Sequence, residues 1–336
     1  MAEFQMTPST IFLQSTESID HYLELAGKPK GFKDPGMAAQ FRAELFHLEG
    51  WARIHRNWPV EKEREIFEKI RKETKTLEDV LGRVDLLLNL LKEAEQKKSD
   101  VLIKVFSDDL KTARRGLKHI LKKDGWFDKK KSRTDKFRNR LSKIEWPSDK
   151  DHYAYLAKEI VTSIGHLQRR FEQEIRPELS KPLTHEILEH DVHEFRREIR
   201  WFAIYFQTGQ GLFALSPMPK KLSVEDKKLV SAFKDSPFIK LPSAVYTKGW
   251  LSPLAYIELT RLIQIIGEIK DKAEKFFFMK EGLMKAGVAE PLAHQQAVAW
   301  YGDVTSTTVS KMQEVVDEYE RKLPLKQISQ DLAEGF

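Results

Sequence analysis

The stretch TLEDVLGRVDLLLNLLKE, from Thr76 to Glu93, indicates the fold class most clearly. Its apolar residues recur at spacings of three and four and form one stripe: Leu77, Val80, Leu81, Val84, Leu87, Leu88 and Leu91. Such a stripe is typical of a helix that packs its apolar face against other helices. Helical periodicity dominates the rest of the chain, and strand patterns are few. We therefore predict an all-α protein made of long antiparallel helices.

The composition limits the classes of protein to which the chain can belong. Its 336 residues are 41% hydrophobic and 32% charged, and no apolar run approaches the roughly 18 residues that a membrane span needs. Met1–Met6 lack the charged and apolar regions of a signal peptide, so we expect a cytoplasmic protein that does not bind membranes. The absence of cysteine excludes disulfides, thiolate metal sites and thiol nucleophiles. A net charge of +6 favours polyanionic partners.

Caps, prolines and glycines predict where the helices begin and end. The predicted helices cover 10–27, 37–56, 59 to beyond 91, 100–123, 148–176, 185–207, 253–285 and 304–322. Pro177 should end one of them, because the residue before a proline avoids the α region. Residues 124–140 have the pattern of a charged connector, with a partly helical end as an option. Between 208 and 252 the pattern weakens, with one short helix capped by Ser223 and Asp226. The tail after Pro324 is predicted to be peripheral.

A second long helix repeats the first pattern. It reads ELTRLIQIIGEIKDKAEKFFFMKE, from Glu258 to Glu281. Each helix has an aliphatic–glycine pair followed by a basic residue and an aspartate: Leu81-Gly82 with Arg83 and Asp85, and Ile266-Gly267 with Lys270-Asp271. A glycine inside a helix costs about 1 kcal/mol relative to alanine, so another helix is expected to cross closely at both points. Coincidence between two amphipathic helices is the alternative.

These helices resemble those of the CHAD (conserved histidine α-helical domain) family. That family has a Leu-Gly pair with aspartate four residues after the glycine, which Gly267 to Asp271 matches and Gly82 to Asp85 misses by one residue. Its basic helix beginning His-x-x-Arg is similar to the segment His193–Arg200. In the first half, the segment Gln40–His47 keeps only Arg42 from that pattern.

The resemblance implies two four-helix-bundle repeats with pseudo-twofold symmetry. An N-terminal helix and loop would cover 1–36, the first repeat 37–180 and the second repeat 181–336. Arg42 and Gly82 are 40 residues apart, whereas Arg196 and Gly267 are 71 apart. The second repeat would therefore carry an insertion at about 208–248.

The function that the resemblance implies is non-catalytic binding of inorganic polyphosphate, or a similar polyanion, in a basic channel between the repeats. Arginine offers forked donors to phosphate oxygens and lysine acts as a point charge. The leading candidates are His193, Arg196, Arg200 and Lys270, with Arg42 and Arg83 as weaker ones from the first half. His193, Arg196 and Arg200 share a helical face. Arg197 points away from that face and is expected to pair with Glu194 or Glu198.

A second basic helix is a further candidate, because Arg115, Lys118 and Lys122 share one face. The connector Lys129–Arg140 has seven basic residues and one acidic residue, and we expect it to be a flexible surface loop. The alternatives for these basic faces are solvated helix surfaces with local ion pairs, a scaffold that has lost the ligand, and a nucleic-acid-binding surface, which is less favoured.

Enzymatic and metal-dependent functions have no clear motif. There is no phosphate-binding loop, dinucleotide fingerprint or Gly-x-Ser-x-Gly elbow. Glu186, His190, His193 and Glu194 could approach one face, but Glu189 stands where a zinc-protease motif needs its second histidine. We therefore predict no catalytic activity, no metal and no cofactor.

Overall fold

The computed structural model describes residues 8–27, 35–128, 131–179, 181, 187, 191–209, 212–233 and 249–334. These residues are almost wholly helical, which confirms the all-α prediction. In chain order the elements are α1 (Pro8–Ala26), α2 (Pro35–Ile54), α3 (Glu61–Gln96), α4 (Asp100–Lys123), α5 (Arg133–Leu141), α6 (Asp149–Arg170), α7 (Arg176–Leu179), α8 (His193–Thr208), β1 (Phe213–Leu215), α9 (Val224–Phe233), β2 (Gly249–Leu251), α10 (Pro253–Lys285), α11 (Glu290–Tyr301), α12 (Val304–Lys322) and α13 (Pro324–Glu334).

The chain forms two compact units. The N-terminal unit comprises Thr7–Trp146 with Lys275–Gly302, and the C-terminal unit comprises Pro147–Glu274 with Asp303–Phe336. One boundary between them falls inside α10, between Glu274 and Lys275. The predicted division into segments 1–36, 37–180 and 181–336 stays a prediction.

The N-terminal unit is built on α3, against which α2 and α4 pack. The predicted stripe lies in the core, where Leu77, Leu81 and Val84 are fully buried. Helix α4 buries one apolar face at the same spacing, formed by Leu102, Phe106, Leu110, Leu117 and Leu121. Its opposite face is therefore left to polar and charged residues.

Aromatic rings surround a buried histidine in the N-terminal unit. The His55 ring is wholly inaccessible, and its Nδ1 lies 2.6 Å from the carbonyl oxygen of Trp51. Rings of other residues lie within 6 Å of it: Phe12, Trp51, Trp58, Phe67 and Trp146. Burial lowers the pKa of His55 to about 3, although the bond to the Trp51 carbonyl acts in the opposite direction. The neutral ring therefore donates from Nδ1 to that carbonyl at ordinary pH.

In the C-terminal unit, α8 buries most of its length. Its inward residues include Phe195, Ile199, Phe202 and Phe206. The two short strands β1 and β2 pair in parallel, with Phe213 opposite Gly249. A side chain at Gly249 would collide with the Tyr153 ring, which explains the glycine there.

The predicted bounds of α4, α10 and α12 are confirmed, and so is the cap of α9, where Ser223 Oγ accepts from the Asp226 backbone N–H at 3.0 Å. The prediction that Pro177 ends its helix is wrong. After α6 a π-helical turn spans Phe171–Ile175, and α7 continues through the proline. The wider turn supplies a place for a residue that lacks a backbone N–H.

Three other regions differ from the sequence-based description. The tail is not peripheral, because α13 buries Leu325, Ile328 and Leu332 and packs against α6. Helix α11 and the strand pair were not predicted. Residues 182–186 and 188–190, at the predicted start of the helix 185–207, lie outside the described residues. So does much of the 208–248 insertion. Among the helices of the described residues, none combines the length and the apolar character that a membrane span requires.

Candidate functional site

Arg42 on α2 lies across Gly82 on α3. A Cβ atom at Gly82 would be 3.1 Å from Arg42 Nη2, so the glycine makes room for the guanidinium group. Two carboxylates hold that group: Nη2 lies 2.6 Å from Glu78 Oε1, and Nη1 lies 3.0 Å from Asp85 Oδ2. The predicted close approach at Gly82 is therefore confirmed, and the group that approaches is an arginine side chain.

The charges of this N-terminal clamp (Arg42, Gly82, Glu78 and Asp85) satisfy one another. Burial alone would lower the pKa of Arg42, but Glu78 and Asp85 outweigh it and raise the pKa above its ordinary value. Burial alone would raise the pKa of Glu78, but Arg42 holds it below its ordinary value. Two carboxylates against one guanidinium group leave the clamp with no surplus positive charge for an anion.

Arg196 on α8 lies across Gly267 on α10 in the same manner. A Cβ atom at Gly267 would be only 2.6 Å from Arg196 Nη2, and Arg196 Nε donates to the carbonyl oxygen of Ile263 at 3.1 Å. Ile263 stands four residues before this glycine, as Glu78 does before Gly82. The C-terminal clamp (Arg196, Gly267, Ile263 and Lys270) therefore has an apolar residue where the other has a carboxylate.

Lys270 stands three residues after Gly267, where the N-terminal clamp has Asp85. Its side chain is 11% exposed, and its Nζ lies 2.5 Å from Glu274 Oε1. The ammonium group is thus neutralised within its own helix. The motif aspartate, Asp271, is 61% exposed, and its Oδ1 is 3.8 Å from the same Nζ.

The remaining predicted residues of α8 are half-buried. His193 and Arg200 lie one turn on either side of Arg196. Arg197 pairs with Glu194, as predicted, and Glu198 pairs with Arg170 on α6. Much of the charge of this helix is therefore used in ion pairs.

The C-terminal half of α4 has a different character. From Lys111 to Lys123 the helix carries six lysines and arginines and no acidic residue. Arg115, Lys118 and Lys122 are exposed, and so are Lys111 and Lys123. None of these five forms an ion pair with another residue of the described chain. Lys111, Arg115, Lys118 and Lys122 form a row along one side of the helix, and together with Lys123 at its end they make up what we call the α4 basic face.

Lys111 and Lys123 were missed in the sequence-based site, although the long run without an acidic residue would have indicated them. Arg83, on α3, is also exposed and makes no ion pair within the described ranges.

A pocket of about 420 Å³ opens where α4 ends. It is lined by Lys122, Lys123, Arg133 and Lys136 together with Asp124 and Asp128. Arg133 is fixed in place, since its Nε and Nη2 both donate to the Asp124 carbonyl and its Nη1 lies 2.9 Å from Glu73 Oε1. The three lysines are not held in this way. The pocket thus extends the α4 basic face past the end of the helix.

The charged connector is not a flexible loop in its described part. Ser132 and Asp135 form a reciprocal cap, and α5 buries Thr134, Phe137 and Leu141. Arg138 Nη1 lies 2.7 Å from Asp20 on α1. These contacts correct the expectation of a flexible surface loop, and they leave Lys136 as the lysine that α5 contributes to the pocket.

The considered metal ligands are only partly described, because Glu186 and His190 lie outside the described residues. Within the described part of the chain, no group of three or more histidine, aspartate or glutamate side chains could hold a metal ion. Compared with known proteins, the chain matches no family model, no curated protein and no solved structure.

Proposed function

We propose that the protein binds inorganic polyphosphate, or a similar linear polyanion, without catalysis, and that the α4 basic face is the main contact surface. The observation that carries this proposal is the row of exposed cations from Lys111 to Lys123 with no acidic residue among them. Elsewhere in the described chain, two of the candidate cations, Arg42 and Lys270, face a carboxylate of the fold. A row that the fold leaves without counter-charges favours an external anion.

The geometry of the row suits a linear polymer. Lys111, Arg115, Lys118 and Lys122 follow one another at spacings of three and four, so they lie along one side of the helix. At 1.5 Å per residue, they span roughly 16 Å. A chain with a negative charge on every unit can contact all four in succession. The CHAD resemblance is the reason for naming polyphosphate among the possible polyanions.

We further propose that the two clamps are counterparts in two repeats of one helical design. The support is that an arginine of one helix lies over a helical glycine of another in each unit. The residues that flank the glycines differ, so the clamps would have diverged after the repeat arose.

A second candidate function is a helical scaffold that has lost its ligand. One observation favours it: Arg42 and Lys270, two of the residues expected to contact phosphate, are held by carboxylates of the fold. Under this alternative the α4 basic face is an ordinary solvated surface, and polyphosphate and DNA should bind with similar weak affinity.

Binding of long-chain polyphosphate across a salt series, with duplex DNA as the competitor, separates the two. The test variant is Lys118→Glu/Lys122→Glu. The matched control is Lys62→Glu/Lys69→Glu, which makes the same charge change at exposed α3 lysines that form no ion pair with described residues.

The proposal expects the test variant to lose on the order of tenfold to a hundredfold in affinity and to flatten the salt dependence, because fewer counterions are released. The control should bind within about twofold of the wild type. Equal losses in both variants would reject the α4 basic face and leave the scaffold alternative.

A further inference from the structure

The pocket at the C-terminal end of α4 meets the α4 basic face at Lys122. Lys122 is the last residue of the row that begins at Lys111, and it also lines the pocket of about 420 Å³. A linear ligand that follows the row therefore reaches the pocket. Small-molecule sites have volumes of roughly 300–1,000 Å³, so the pocket is large enough for a compact group at the end of such a ligand.

Three lysines from two helices surround this pocket. Lys122 and Lys123 end α4, and Lys136 lies on α5. The turn after α4 is tied to the start of α5, because the Gly125 carbonyl accepts from the Arg133 backbone N–H at 3.0 Å. A Cβ atom on Gly125 would be 3.5 Å from Lys136 Nζ, so this ammonium group lies beside the turn. None of the three lysines forms an ion pair with another described residue.

The C-terminal end of a helix normally disfavours an anion, because its last carbonyl oxygens carry partial negative charge. At the end of α4 this charge is offset. The Asp124 carbonyl accepts from Arg133 Nε and Nη2, and the Lys122 carbonyl accepts from the Gly125 N–H at 3.2 Å. Arg133 also pairs with Glu73, so its own charge is used by the fold. The positive charge available to a ligand therefore comes from the three lysines.

Two carboxylates, Asp124 and Asp128, also line the pocket. Asp128 Oδ1 accepts from the Lys131 backbone N–H at 3.4 Å. The positive excess in the pocket is therefore smaller than along the row, which contains no acidic residue. Such a pocket distinguishes anions by their charge density, because a weakly charged group gains too little from the lysines to outweigh the carboxylates.

The most highly charged group of a linear polyphosphate is its end. A terminal phosphate has three free oxygens and, like a phosphate monoester, a charge of about −1.5 to −2 at pH 7. A phosphate inside the chain has one free oxygen fewer and roughly half of that charge. Ammonium groups form short, charge-assisted hydrogen bonds to phosphate oxygens. The three lysines of the pocket therefore match the three oxygens of a terminal phosphate.

We propose that this pocket binds the terminal phosphate of a linear polyphosphate through Lys122, Lys123 and Lys136, while the rest of the polymer runs along the α4 basic face. This inference rests on the proposed function and deepens it. It gives the site a preference for chain ends and sets the direction in which the polymer lies on α4.

The test compares linear tripolyphosphate, which has two terminal phosphates, with cyclic trimetaphosphate, which has none, by calorimetric titration of the full chain. The linear compound also carries more total charge, so the ratio of the two affinities is measured in two matched variants as well. Lys123→Gln/Lys136→Gln removes two lysines of the pocket, and Lys111→Gln/Lys118→Gln removes two lysines of the row. Lys122 belongs to both and stays unchanged, and the melting temperature checks that each variant folds.

We expect the wild type to bind the linear compound about tenfold more tightly than the cyclic one. Lys123→Gln/Lys136→Gln should reduce this ratio to about twofold, because the terminal oxygens lose their donors. Lys111→Gln/Lys118→Gln should weaken the binding of long-chain polyphosphate but keep the ratio within about twofold of its wild-type value.

Three results would overturn the inference: equal binding of the two compounds by the wild type, an unchanged ratio in Lys123→Gln/Lys136→Gln, or an equal reduction in both variants. Orthophosphate that bound as tightly as tripolyphosphate would identify a site for free phosphate and would overturn it too. The proposed function is judged separately. It stands if Lys118→Glu/Lys122→Glu weakens the binding of long-chain polyphosphate, and it falls if that variant binds like the wild type.

Discussion

The two clamps use the same packing device, but different residues flank the glycine in each. In the N-terminal clamp, Arg42 crosses Gly82 and contacts two carboxylates, Glu78 and Asp85. In the C-terminal clamp, Arg196 crosses Gly267, but the corresponding positions hold Ile263 and Lys270. The arginine–glycine contact is therefore separable from the ion pairs around it.

The difference shows that a basic motif in a sequence does not establish a binding site by itself. A buried carboxylate beside an arginine turns the arginine into a structural residue, because the pair satisfies its own charges. The α4 basic face is less motif-like but leaves its cations without carboxylate partners among the described residues. Available charge, more than the identity of the residues, is what a polyanion recognises.

The largest expected effect is the loss of folding stability when the arginine of each clamp is replaced. Arg42→Met leaves Glu78, whose side chain is only 4% exposed, without its main counter-charge. Breaking a buried ion pair from one side typically costs about 3–5 kcal/mol. Because Lys75 remains 3.3 Å from Glu78, we expect about 3 kcal/mol here. Urea denaturation measures the loss.

Arg196→Met provides the comparison. It removes a hydrogen bond to the neutral carbonyl of Ile263 and strands no carboxylate in the way that Arg42→Met strands Glu78, so we expect a smaller cost of about 1–2 kcal/mol. Adding Glu78→Gln to Arg42→Met should recover much of the loss by removing the uncompensated charge. Equal costs for the two arginine variants, or no recovery with Glu78→Gln, would show that the carboxylates do not distinguish the clamps.

A smaller effect is expected from acid, which should weaken the N-terminal unit through His55. The folded protein holds the pKa of His55 at about 3, below its ordinary value of 6.5. Below pH 6.5 His55 becomes protonated in the unfolded chain but stays neutral in the folded chain. The free energy of unfolding therefore decreases as the pH is lowered, down to about pH 3. At pH 4.5 the loss is about 2–3 kcal/mol.

The variant His55→Phe should remove the loss of stability that His55 causes at acid pH. Amide hydrogen exchange at pH 7 and 4.5, corrected for the intrinsic exchange rate, should show the loss of protection of the wild type in α2 and α3. An unaltered slope in His55→Phe would mean that another group titrates there.

The sequence predicted the helices well because their signal is local. The apolar spacing of α4 and α10 and the prolines and caps beside them are read within a few residues, and their bounds were confirmed. The prediction that Pro177 ends its helix was wrong because a π-helical turn precedes the proline. The spacing of apolar residues in the sequence gives no sign of such a wider turn.

The site was less predictable, because charge neutralisation is a tertiary property. Glu78 neutralises Arg42 from another helix, 36 residues away. The glycines at 82 and 267 did signal a close approach, since their cost needs a reason. They could not reveal that the approaching group was an arginine, or which carboxylates would meet it.

The smallest effect concerns the two glycines of the clamps. Alanine gains about 1 kcal/mol of helix propensity at either site. At Gly82 the nearest Arg42 atom is 3.1 Å from the new Cβ, so a shift of a few tenths of an ångström relieves the contact. At Gly267 the distance is 2.6 Å, so Arg196 must move and lose its bond to Ile263.

We therefore expect Gly267→Ala to be about 1 kcal/mol less stable than Gly82→Ala, the difference being one hydrogen bond. A double-mutant cycle locates the cause. In an Arg196→Ala background the guanidinium group that crowds the new methyl group is gone, so Gly267→Ala should become stabilising by about 1 kcal/mol. If it stays destabilising there, the backbone at Gly267 is constrained by something other than the arginine, and the two clamps do not share one packing device.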